Sequence, residues 1–325
     1  MQSSPCQRTI SESRELRRKS VSNGKLYKDF FYPPFSVLDA RQGWWQTRKR
    51  QWLDLGIQSE LGRDDTWESL KSIYAVKASH IKNSKHKDTP AWASTSIFDP
   101  VLCEILYRWF VPSDGLIFDA FAGGSVRGVV ASRLGFNYMG FDIRAEQVAA
   151  NERQAEELCS APVPKWRCLD SCGKSIHRHF KGQADFLFSC PPYGDLEVYS
   201  DLAGDISNMP WDVFAGSLRH SIKQQAKRLK NNRFAAYVVS DIRDKEGFYL
   251  GLPEVVRSSF CEAGLKYYGE IVLLNALGTL PLRVRGQWEK SRKPGRAHQN
   301  VLLFVKGDPK IAKQDLGDTP CNDPF

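Results

Sequence analysis

The sequence predicts an α/β protein: a mostly parallel seven-stranded sheet with helices on both faces and an antiparallel hairpin at one edge. Three observations carry this. From about residue 96 onward, short apolar runs alternate with helix-length segments, the pattern of parallel strands joined by crossover helices. The runs are continuously apolar, as in Phe186-Leu187-Phe188, so the sheet is expected to be covered on both sides. The last two runs, residues 269–274 and 301–305, have no helical pattern between them, which implies an antiparallel pair.

Each element follows from local chemistry. Residues 99–110 read as a helix, with Val101, Leu102, Ile105, Leu106 and Trp109 on one face. Strands are expected at residues 116–120, 138–142, 166–169, 185–189 and 234–239. Helices are expected from the glycine turn to about 134, then at 146–158, 211–229 and 253–263, the last with Pro253 in its first turn. Residues 1–25 read as a mobile basic tail carrying Arg14, Arg17, Arg18 and Lys19. Residues 26–95 form an aromatic and basic extension; Phe30, Phe31, Tyr32, Phe35, Trp44, Trp45 and Trp52 make it too apolar for a linker, so it is expected to pack on the main domain. Residues 96–308 hold that domain, and residues 309–325 read as a polar tail with no core to bury.

Across its 325 residues the chain carries a net charge of +9, which favours an anionic partner, most simply nucleic acid. The first 24 residues contain no apolar leader-like core, and no run is long enough to span a bilayer. With eight scattered Cys, this reads as a reduced cytoplasmic protein without a membrane segment. Cys168, Cys172, His177 and His179 have spacing that can hold zinc, but no second Cys pair accompanies them. They are read as core thiols and surface histidines, and no metal is expected.

Two turns carry the chemistry. Asp119-Ala120-Phe121-Ala122-Gly123-Gly124-Ser125 lies between the first strand of the domain and its helix. Glycines there let a ligand approach the backbone at a helix N-terminus. Asp142, about twenty residues on, ends the second strand, where an acid accepts both ribose hydroxyls of an adenosine. The full Gly-x-Gly-x-x-Gly spacing of a nicotinamide site is absent. Asp170, at the end of the third strand, is placed either to contact the adenine or to cap the segment beginning at Ser171. The second turn, Ser189-Cys190-Pro191-Pro192-Tyr193, follows the fourth strand. Two prolines stop the ladder and stiffen the turn, and Tyr193 becomes a fixed plate suited to gripping a base taken out of a nucleic acid.

Together, Phe121-Ala122-Gly123-Gly124, Asp142 and Cys190-Pro191-Pro192-Tyr193 resemble S-adenosylmethionine-dependent DNA amino-methyltransferases of the N4-cytosine/N6-adenine type, and more closely the small DNA methylases of phages and prophages. The resemblance extends over residues 34–43, 96–100, 121–128, 189–199 and 298–306, within a span of about 29–309. It implies a Rossmann-like class I methyltransferase fold, S-adenosylmethionine as cofactor and DNA as partner. By the same resemblance, Phe98 and Asp99 belong to the segment that closes over the methionine end. Asp119, Phe121, Gly123 and Gly124 form the methionine turn, and Asp142 is the ribose acid. Position 190 and the Pro191 carbonyl accept the hydrogens of the target amine, and Tyr193 stacks on the flipped base. Ala120 and Ser125 depart mildly from the family pattern. Cys190 departs more, because a thiol is a weak acceptor; Ser189 can assist it, or Cys190 can be a nucleophile of the pyrimidine C5 type. Asp195, Glu197 and Asp201 read as solvated loop acids that can also order the loop around Tyr199.

The segment 276–300 carries Arg283, Arg285, Lys290, Arg292, Lys293 and Arg296 against Glu289, with Gly278, Gly286 and Gly295 expected to make it a mobile, phosphate-binding loop. The basic segment from Arg41 to Arg50 is a second candidate surface. Rival functions are an RNA guanine-N2 methyltransferase and a catalytically silent DNA-binding protein. The target base, recognition sequence, restriction partner and oligomeric state are not legible in the sequence.

Overall fold

The computed structural model describes residues 24–57, 98–173, 176–194, 199–278 and 280–325. The basic tail, most of the aromatic extension with Ser96 and Ile97, and the loop acids Asp195 and Glu197 lie outside the described residues.

Eight strands form one sheet: β1 (Val37–Asp39), β2 (Leu116–Asp119), β3 (Asn137–Asp142), β4 (Lys165–Cys168), β5 (Ala184–Ser189), β6 (Leu229–Val239), β7 (Lys266–Leu274) and β8 (His298–Lys306). Their spatial order is β1-β7-β8-β6-β5-β2-β3-β4. All neighbours are parallel except β8, which runs antiparallel to both β6 and β7. This is the Rossmann-like sheet expected from the sequence, with one strand more than the seven foreseen. The added β1 pairs outside β7, Val37 opposite Val272. Three residues next to Pro33-Pro34 carry no strand signal of their own; the open edge of β7 supplies the pairing.

Helices cover both faces: α1 (Gly43–Asp54), α2 (Pro100–Phe110), α3 (Val126–Arg133), α4 (Ala145–Leu158), α5 (Ile176–His179), α6 (Trp211–Arg228), α7 (Leu252–Glu262), α8 (Leu280–Ser291) and α9 (Pro309–Leu316). β5 is buried along its whole length, and its side chains alternate between two cores. Phe186 and Phe188 face the layer containing Trp45, Ile105 and Val129; Leu187 faces Phe214, Ile222 and Phe260.

Two expectations are corrected. The segment between β7 and β8 is not a loop throughout, because α8 occupies its centre. Gly286 lies inside that helix. At Gly295 a Cβ would come 2.8 Å from Leu280 Cδ1, so this glycine serves close packing rather than mobility. The C-terminal segment is also not an unanchored polar tail. Ala312 of α9 is fully buried, and the residues beyond it are tied down by Arg48, Arg108, Arg133 and Arg233. Glu104, itself buried, accepts from Arg48, Arg108 and the Trp52 indole at 2.7–2.8 Å. One carboxylate cannot occupy all the donors of two guanidinium groups, and the tail supplies the remaining acceptors. Arg108 donates to the carbonyls of Pro320 and Asn322 at 2.7 Å, and Arg48 pairs with Asp323 at 3.1 Å. Phe325 packs on Trp52 with ring centroids 4.9 Å apart.

Candidate active site

The C-terminal ends of β2, β3, β5 and β6 and the N-terminal end of β8 meet at one sheet edge. The strand order turns there, with β2 between β3 and β5, which is where open α/β sheets bind ligands. A cavity of about 720 Å³ opens at this edge. Its walls bring together Phe98, Asp99, Phe121, Gly123, Gly124, Asp142, Asp170, Cys190, Pro192, Tyr193, Arg283 and Arg296, all expected from the sequence to serve the site.

Asp119 is fully buried and does not line this cavity. Its Oδ2 accepts from Arg127 Nε at 2.5 Å and from the Tyr138 hydroxyl at 2.8 Å. Its Oδ1 accepts from Ser189 Oγ at 2.5 Å and from the Phe121 N–H at 3.1 Å. The Asp119 carboxylate is thus committed inside the protein, and its place in the ligand-contacting set is corrected to that of a pier beneath the turn. Arg127, which lies within the 121–128 stretch but has no role assigned to it there, also donates to the carbonyls of Phe121 and Ala122 at 2.6 and 2.8 Å. Burial opposes its charge most strongly, but Asp119, first among several neighbours that act together, outweighs this and the guanidinium stays protonated. On the opposite side, the Arg127 guanidinium lies 4.5 Å from the Phe98 ring centroid.

Asp142, by contrast, lines the cavity. Gly123 N donates to its Oδ2 at 3.0 Å and Arg144 N to its Oδ1 at 2.9 Å, which fixes both oxygens while leaving lone pairs on each. Burial pushes the Asp142 carboxyl above the ordinary range, against the pull of Arg144 and these two N–H groups. Gly123 sits at φ +53° with open space where a side chain would project, so only glycine keeps this turn unstrained and leaves that space clear. Asn151 Nδ2 holds the Gly123 carbonyl at 2.7 Å and is itself held by Gln147.

Asp99 caps α2 through the N–H groups of Val101 and Leu102. It also accepts from the Trp45 indole at 3.2 Å and from Lys49 Nζ at 3.1 Å, so α1 is fastened to the rim of the cavity. Asp170 accepts from the N–H groups of Cys172 and Gly173 at 2.8 and 3.0 Å. These bonds close a turn over residues 171–173 rather than cap a helix, and the residue also lines the cavity.

In the second turn, Ser189 does not assist Cys190. Its hydroxyl accepts from Phe121 N at 3.1 Å and donates to Asp119, tying this turn to the glycine turn. Pro191 is buried and does not line the cavity, unlike Cys190, Pro192 and Tyr193. The Tyr193 hydroxyl accepts from Gln299 Nε2 on β8 at 2.9 Å and lies 3.4 Å from Cys190 Sγ. Burial pushes the Tyr193 phenol well above its ordinary value, so the ring stays neutral. Gln299 lies within the 298–306 stretch of the resemblance, but its pairing with Tyr193 is brought about only by the β8 register.

The basic segment borders the cavity through Arg283 and Arg296. Arg285 pairs with Glu289 along exposed α8 at 2.9 Å. Arg292 lies over the Trp288 ring at 5.5 Å, and Lys293 reaches Gly247. Among the described residues no three His, Cys, Asp or Glu converge as metal ligands, and no helix is long and apolar enough to cross a membrane.

No family model and no curated protein sequence matches the chain. Its path resembles several solved structures. TrmN from Thermus thermophilus aligns at TM-score 0.43 and 13% identity, over 64% of this chain and 49% of that one, so the chain spans about half its length. The magnesium protoporphyrin IX methyltransferase ChlM from Synechocystis PCC 6803, with bound SAM, aligns at TM-score 0.44 and 12% identity over 77% and 95% of the two chains. A methyltransferase from Pyrococcus furiosus aligns at TM-score 0.43 and 16% identity over 74% and 98%. At such distances only the chain path is alike, and the chemistry rests on the residues of this cavity.

Proposed function

We propose that the protein is an S-adenosylmethionine-dependent methyltransferase acting on the exocyclic amine of a cytosine or adenine in DNA. One observation carries this reading: an oriented strand-end acid, Asp142, and an aromatic proline turn, Cys190 to Tyr193, line the same cavity, and Ser189 couples their supports.

The cavity fits the cofactor. Asp142 presents two oriented acceptors to a ribose, while Gly123 and Gly124 leave room beside a helix N-terminus, and Phe121, Ile143 and Leu169 offer apolar walls for an adenine. When bound, S-adenosylmethionine supplies an activated sulfonium methyl. The chain then has to orient the acceptor and exclude water, so positioning supplies much of the catalysis. Tyr193, fixed by Gln299, offers a rigid neutral face for stacking. Cys190 Sγ, next to the Tyr193 hydroxyl, lines the space that an amine on the stacked base would enter. An amine lone pair is conjugated with its ring, and an acceptor for its hydrogens favours the geometry that attacks a methyl group. The basic segment with Arg283 and Arg296 at the rim suits a phosphate backbone.

The test is labelled methyl transfer to unmethylated duplex DNA and to transfer RNA, with the modified nucleoside identified by mass spectrometry. N4-methylcytosine or N6-methyladenine from DNA is the expected product. N2-methylguanine from RNA would replace this reading with an RNA activity, and no product on either would favour a silent binder. Cys190→Ser is expected to retain amine methylation. A C5-methylated product that disappears in Cys190→Ser would instead make the cysteine a nucleophile.

A further inference from the structure

A short hairpin, residues 241–250, leaves β6 beside the cavity and carries Phe248, which is 68% exposed. The hairpin is tied along its length. Arg243 and Tyr249 bridge across it, Leu250 N donates to the Ile242 carbonyl at 2.9 Å, and Asp244 N donates to the Phe248 carbonyl at 2.9 Å. Asp244 Oδ1 accepts from Gly247 N and Phe248 N at 2.7 and 2.8 Å. The Arg243 guanidinium lies 3.7 Å from the Tyr249 ring centroid and donates to the Gly247 carbonyl. At the base, Asp241 Oδ1 accepts from the N–H groups of Ile242, Gly251 and Leu252.

This mount sits on the catalytic turn. A Cβ at Gly194 would come 2.6 Å from Ile242 Cδ1, and Ser240, Asp241 and Ile242 line the cavity. Its other flank meets the basic segment, with Lys293 Nζ against Gly247 and Arg296 lying 5.7 Å from the Tyr249 ring. The exposed acid near the tip, Glu246, is flanked by exposed Lys245. A hydrogen-bonded hairpin whose base lines the cavity therefore holds an exposed phenyl ring in water, next in sequence to residues that meet Lys293 and Arg296. Exposed apolar surface on a rigid mount is relieved by a partner that covers it.

We infer that Phe248 is a wedge for duplex DNA. As a nucleotide leaves the stack for the cavity, the phenyl ring enters the opened base step, which replaces part of the lost stacking and works for any flanking sequence. The inference rests on DNA being the substrate, as proposed above. It assigns Phe248 to opening the duplex, not to methyl transfer.

The test compares wild type, Phe248→Ala and Phe248→Trp for labelled methyl transfer to unmethylated genomic DNA, as duplex and after heat denaturation. Calorimetric binding of S-adenosylmethionine reports that each variant is folded. Phe248→Ala is expected to slow transfer to duplex on the order of tenfold, the factor set by one base–aromatic stack. It should leave transfer to denatured DNA and cofactor binding unchanged, and Phe248→Trp should restore the duplex rate. Unchanged duplex activity in Phe248→Ala, or equal loss on both substrates, overturns the wedge while leaving the DNA reading intact. Wild type that labels neither form overturns the DNA reading, and the wedge with it.

Discussion

The two sides of the cavity are built on opposite plans. On the β2–β3 side, polar groups are satisfied within the chain. Asp119 is held by Arg127, Tyr138, Ser189 and the Phe121 N–H, and Asp142 is aimed by two backbone N–H groups. On the β6–β8 side, groups stand exposed: α8 has no buried residue, Leu282 is 83% exposed and Trp288 46%. A site for one small ligand is best preorganised, because fixed dipoles need not reorganise when it binds. A surface for a long charged polymer instead leaves cations and apolar groups to be completed by that polymer.

The largest effect that can break this contrast is on Asp119. Asp119→Asn leaves the buried Arg127 charge without its carboxylate, and a loss of about 3–5 kcal/mol in urea unfolding is expected. Unchanged stability combined with lost cofactor binding would move Asp119 back to a ligand-contacting role.

The next concerns Asp142, whose carboxyl is raised by burial. The ionised form is lost as pH falls through that raised value. Calorimetric affinity for S-adenosylmethionine should therefore weaken on acidification sooner than an ordinary carboxylate would require, by up to about 1.5–3 kcal/mol, the worth of a charged hydrogen bond. The sign for folding is opposite. A raised folded pKa contributes stability that is fully present below the unfolded pKa and lost as pH rises through the folded one. Asp142→Asn should flatten both dependences.

The smallest effect tests the exposed side. Neutralising Arg283, Arg285 and Arg292 together should weaken duplex binding roughly tenfold near physiological salt and reduce the salt slope by about 0.9 for each phosphate no longer neutralised. Arg285 already pairs with Glu289, so its share should be the least. An unchanged slope would leave this surface without a nucleic-acid role.

Much of the fold was legible because it depends on local pattern. Phe186-Leu187-Phe188 has to lie in a doubly covered strand, and Asp99-Pro100 has to start a helix, whatever surrounds them. β1 and the docked tail were not legible. A three-residue strand exists only because β7 offers an edge, and residues 320–325 are held because Arg48 and Arg108 have donors left over. In the same way, local sequence marked several of the residues that ring the cavity: Asp142 closes a strand, Gly123 permits a left-handed turn, and two prolines stiffen the approach to Tyr193. Only the tertiary structure decided their division of labour. It drew Asp119 and Ser189 inward, joined Gln299 to Tyr193 across 106 residues of sequence, and set Phe248 against water on a hairpin whose base lines the cavity. Residue type fixes what a side chain is able to bind, whereas packing and strand register fix which partners reach it first.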